Sequence, residues 1–76
     1  MKYFLTEQWD NDYNAFIETY IICAKDINEA RDIAASASWS GHTFTVKQET
    51  NWFIAQYFKH LNNGDDNDVQ QTDRND

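Results

Sequence analysis

A chain of 76 residues carrying 13 acids, 6 bases and a formal charge of −7 has room for one domain, and a domain of that size buries only about 60% of its unfolded surface. The acidic balance argues against direct binding to free nucleic acid, which is led by Lys and Arg neutralising phosphates. The single cysteine, Cys23, excludes an internal disulfide and fits a reducing intracellular setting, where such a thiol packs as a small hydrophobe.

The opening stretch MKYFLTEQWD reaches Glu7 and Asp10 before any apolar run long enough for a signal peptide or a membrane span. The expectation is a soluble cytosolic protein. From Lys2 to Trp9 the β-formers Tyr3, Phe4, Leu5 and Thr6 predict a strand. DNDYN, residues 10–14, is a turn signal, because Asp and Asn bond their own backbone and tolerate positive φ. Ala15 to Ala24, AFIETYIICA, is β-branched and aromatic, and predicts a second strand paired with the first as a hairpin. The spacing of Asp10, Asp12 and Asn14 also touches a calcium-loop pattern. Ala15 stands where that loop needs Gly, and Ile21 where it needs the bidentate Glu, so the hairpin turn is preferred.

Asp26 is a good N-cap, with Glu29 three residues on. Ile27, Ala30, Ile33, Ala34 and Ala37 make one apolar stripe, leaving Arg31, Asp32 and Ala35 outside it. A helix is predicted over 27–38, with Gly41 suited to a stop. HTFTVKQE, residues 42–49, alternates as a half-buried strand, and Thr50 and Asn51 make a turn. Trp52 to Phe58 then reads as a fourth strand on aromatic density. It would put Trp52, Ile54 and Phe58 on one side and Phe53, Ala55 and Tyr57 on the other. A rival is a helix capped by Asn51, since Ile54, Tyr57, Phe58 and Leu61 lie at helical spacing. From Asn62 onward only Val69 is apolar. The last fifteen residues hold five acids and one base, and the first 61 hold eight acids and five bases. The organisation is a single α+β domain over 1–61 and a disordered acidic tail over 62–76.

The fold class is two-layer α+β: a four-stranded, largely antiparallel sheet with one helix, in the order β-β-α-β-β. A helix of about 12 residues is about 18 Å long and 10–12 Å across, against a four-stranded sheet about 19 Å wide. One such rod covers about half of one face and none of the other. Twelve aromatics exceed what it can keep dry. Tyr3, Tyr20, Phe53 and Tyr57 are therefore expected to form an exposed aromatic patch, and such patches mark interaction sites. If the rival helix replaces the fourth strand, it packs on the open face and buries that patch internally.

Catalytic chemistry finds no foothold. Gly41 and Gly64 are isolated, no nucleophile sits in a known motif, and one Cys with two His offers no four-ligand zinc pattern. Cys23 in an apolar strand is expected to be an inert thiol with a raised pKa. The chain is expected not to be an enzyme, and to need no cofactor or metal.

The run Ala24, Asp26, Glu29, Ala30 and Ala34, between a strand that ends and a strand that returns, resembles a pattern in small phage-encoded proteins. It is similar to the RNA-polymerase inhibitors of T7-like phages and to short type I-F anti-CRISPR proteins. The resemblance spans about residues 15–58 and implies a compact protein that docks on a host protein and blocks it, in the host cytoplasm. The partner would be a nucleic-acid-handling protein with a basic surface, met by Glu7, Asp10, Asp12 and Glu18, while the aromatic face supplies the anchor. The alternative is a homodimer packing two sheets through the aromatic patch.

Overall fold

The computed structural model describes residues 1–61; the expected tail, residues 62–76, lies outside them. Strand β1 (Lys2–Asp10) and strand β2 (Ala15–Ala24) form the hairpin that their composition calls for. Its turn uses the local chemistry of Asp and Asn. Asp10 Oδ1 accepts from the backbone N–H of Asp12 (2.9 Å) and of Tyr13 (3.3 Å), and Asn14 takes φ 49°.

Helix α1 (Ile27–Ala37) starts where Asp26 accepts from the N–H of Glu29 at 2.8 Å. The Glu29 carboxylate reaches back to the N–H of Lys25 at 2.7 Å, one residue earlier than in a standard capping box. The helix ends before Gly41. Ser38 donates its Oγ to Ala34 O and accepts from Phe44 N, which turns the chain at once toward the sheet. Gly41, at φ 81°, belongs to the following turn, where its carbonyl accepts from Asn11 N at 2.8 Å.

Strand β3 (His42–Thr50) pairs antiparallel with β1. The next stretch departs from its expected form. Trp52–Ala55 is a short helix, α2, whose cap Asn51 accepts from Ile54 N at 3.1 Å. The fourth strand, β4, is only Lys59–His60 and runs parallel to β2. The Asn51 cap therefore starts one helical turn where aromatic β-propensity predicted a strand, and the turn ends at Ala55, short of Tyr57, Phe58 and Leu61. The sheet order is β3-β1-β2-β4, a four-stranded, mostly antiparallel sheet with one main helix, as expected.

The α1 face holds the core. Phe4, Ile22, Ala24, Ala30, Ala34 and Phe44 are buried together, and Ile27, Ile33, Ala37, Val46 and Leu61 pack on them. Every member of the helical stripe read from the sequence points inward. Thr6 and Gln8 lie buried on this face too. Gln8 is satisfied by pairing its side-chain amide with His42 Nδ1 at 3.0 Å.

Alternation sends Tyr3, Leu5, Glu7 and Trp9 to the opposite face, with Ile21 and Cys23 beside them. Two bulges perturb this pattern. One lies opposite Leu5 and Thr6 and leaves Lys47 as an extra residue of β3. The other lies opposite Gln8 and Trp9 and leaves Ile17 as an extra residue of β2. A bulge shifts parity. Phe16 consequently stands opposite Trp9, with the two rings edge to face at 6.0 Å.

Candidate functional site

The chain leaves β3 at one edge of the sheet and reaches β4 at the other by crossing the face opposite α1, with α2 in contact with β1. Only Ala55 of α2 is buried, and Ile21 on this face is completely buried. A small residue at the contact lets the short helix lie close over the strands. Beside it, Tyr3 meets His60 edge to face at 6.3 Å, and Cys23 Sγ lies 3.7 Å from His60 Nδ1. This second, minor core is what the open face has instead of a second full helix.

The cover is partial. Trp52 is 56% exposed, Phe53 68%, Ile54 42%, Tyr57 78% and Phe58 37%. A helix of this length has one inward position, and Ala55 takes it. The flanking rings point to solvent. At the hairpin end Tyr13, Phe16 and Ile17 are exposed as well. Between Tyr57 and Phe58 and the hairpin residues Phe16 and Ile17 lies a groove of about 520 Å³, also lined by Glu18, Thr19 and Lys59. Phe58 also borders a second groove with Leu5, Glu7, Thr19, Lys47 and Gln48. Tyr57 and Phe58, just after α2, thus share a groove with the apolar residues of the hairpin end.

The structure sorts the expected contact residues by location. Phe53 and Tyr57 are exposed on or beside α2, and Tyr3 is half-buried on the same face. Tyr20 belongs elsewhere: it faces α1, packs on the core and meets Phe44 edge to face at 5.5 Å. Its register opposite Thr6 fixes that side, so its place in the expected patch is corrected. Among the acids, Glu7 contacts Lys47 at 3.9 Å and accepts from Trp9 Nε1 at 3.0 Å. Glu18 pairs with Lys59 at 3.3 Å, and Asp10 holds the turn. Among the described residues only Asp12 of this group has a carboxylate with no hydrogen bond or ion pair.

Phe16, Ile17 and Phe58 enter the surface although sequence reasoning did not select them. For Phe58 a signal existed, namely the helical spacing after Asn51. For Phe16 the strand pattern gives the wrong side, because the bulge at Ile17 has no marker such as a glycine.

The remaining chemistry is modest. Burial pushes the Cys23 thiol above its ordinary value of 9.0, partly offset by the positive N-terminus. A thiol so held is a poor nucleophile near neutral pH. Among the described residues no three His, Cys, Asp or Glu side chains converge to hold a metal ion, and no helix is long and apolar enough to cross a membrane. No protein-family model, curated protein or solved structure matches the chain.

Proposed function

We propose that this chain is a non-catalytic binding protein that docks on a host nucleic-acid-handling protein, of the RNA-polymerase or CRISPR-effector kind, and inhibits it. The observation that carries this reading is the exposed apolar run Trp52, Phe53, Ile54, Tyr57 and Phe58, displayed on a capped helical turn that buries only Ala55. Exposed aromatics fixed on a formed element are what an interface anchor requires, because little ordering entropy is left to lose on binding. The net charge of −7 favours a basic target surface, and Asp12 is the carboxylate best placed to meet it. The sequence resemblance adds the kind of target and its cytoplasmic location. The rival reading, self-association through the same rings, would bring two acidic chains together.

Surface-immobilised bacterial RNA polymerase core and a purified type I-F effector complex are suitable probes, with inhibition of transcription and of target-DNA binding as readouts. Saturable binding to one of them, lost in the Phe53→Ala/Tyr57→Ala variant, is the expected result. Failure to bind either probe, together with a stable dimer by light scattering that the same double change dissociates, would replace docking by self-association.

A further inference from the structure

We propose that the outer edge of β2, from Ala15 to Thr19, accepts an extended segment of a partner protein as an added strand, and that this segment alternates apolar with basic residues. The proposal rests on the docking reading above and specifies its mode.

The first observation is an incomplete ladder. β4 pairs with β2 only at Tyr20 and Ile21, and among the described residues no strand lies beside Ala15–Thr19 on that side. An open edge presents backbone N–H and C=O groups that an extended chain can satisfy. The second is what borders that edge. The groove of about 520 Å³ runs beside it, lined by Phe16, Ile17, Glu18 and Thr19 of the hairpin and by Tyr57, Phe58 and Lys59 of the segment that leads into β4. An added strand points every second side chain to one face, so alternate apolar residues would enter this groove.

The third observation is charge. From Asp10 to Ala24 the chain holds Asp10, Asp12 and Glu18 and no Lys or Arg. Lys59 meets Glu18, so the hairpin tip is left with two acids and no cation from its own strand. A partner strand with Lys or Arg is complementary there, and an acidic one is repelled. The same logic disfavours a second copy, which brings another chain of −7 to a site where β4 blocks pairing beyond Thr19.

The opposite edge is longer but guarded. β3 carries an exposed Lys47, and a lysine on an edge strand disfavours strand addition, most of all by a basic segment.

The test uses isotope-labelled full-length chain titrated with three synthetic peptides and followed by amide resonances and hydrogen exchange. The first is Lys-Val-Thr-Ile-Lys-Val-Thr, blocked at both ends. The second replaces its Lys by Glu. The third keeps the side chains but methylates alternate peptide nitrogens, which removes ladder donors. The first peptide should shift the amides of residues 15–19 and of Tyr57 and Phe58 and slow exchange along that edge. The Glu and methylated peptides should bind at least about tenfold more weakly. Equal binding by the methylated peptide, shifts centred on β3, absence of saturable binding, or protein-only shifts at 15–19 that grow with concentration would each overturn the proposal. If the peptides fail while the Phe53→Ala/Tyr57→Ala variant still loses the immobilised target, docking stands and strand addition falls.

Discussion

Asp10 and Asp12 are two residues apart in one turn, yet they do different work. Asp10 accepts from two backbone N–H groups, whereas the Asp12 carboxylate has no such engagement among the described residues. Asp10→Ala should therefore cost about 0.5–2 kcal/mol, the usual penalty for removing a capping side chain, measured by denaturant unfolding. Asp12→Lys should leave stability within about 0.5 kcal/mol. It should instead slow association with a basic target and flatten its dependence on salt; an unchanged association rate would remove the electrostatic part of the docking reading. Cys23 gives a pH prediction. Its folded pKa is raised by burial, so the fold favours the protonated thiol. That contribution is complete below the unfolded value and is lost as pH climbs through the folded one. Thermal midpoints measured from about pH 8 to about pH 10 should fall more steeply for the parent than for Cys23→Ala.

At the scale of elements, α1 and the β1–β2 hairpin were legible because several local signals agree. Asp26, the stripe from Ile27 to Ala37 and the DNDYN turn each specify geometry without tertiary help. The segment after Thr50 was not, since its aromatics satisfy a strand template as well as a helical one. What decides is Asn51, whose side chain holds Ile54 N, and Ala55, the one residue small enough to lie against the open face. The site was legible in part. Phe53 and Tyr57 are exposed as the strand template expects and the helical one does not, while Tyr20 and Phe16 change sides through register and a bulge that no residue type announces. Because α2 lies against β1 and buries only Ala55, the face on which Ile21 is buried is the weak joint of the fold. Ile21→Ala should cost about 2–5 kcal/mol by unfolding, the range for removing a buried aliphatic side chain. A loss below about 1 kcal/mol would mean that the minor core contributes little.

For the whole molecule the governing quantity is how much apolar surface two short helices can cover. α1 closes its face of the sheet well enough to bury Phe4, Ile22 and Phe44, while on the other face α2 lies against β1 and buries only Ala55 of its own residues. Seven of the twelve aromatics stay exposed, and six of those seven lie on α2, on the turn after it, or at the hairpin end. The expectation that a helical fourth segment would bury the patch internally is therefore not met, although Trp52–Ala55 is helical. Its rings face outward, on the side of the molecule that also carries the open edge of β2. A net charge of −7 opposes self-association of such a molecule, and under the docking proposal this surface meets a partner of opposite sign.

The stability of the Phe53→Ala/Tyr57→Ala chain, measured by denaturant unfolding against the parent, tests the central claim most directly. Rings displayed for a partner contribute little to the folded monomer, so the double change should alter unfolding free energy by less than about 1 kcal/mol. A loss near 3–5 kcal/mol for even one of the two truncations, as for an aromatic removed from a core, would contradict the account and make this surface part of the protein's own interior.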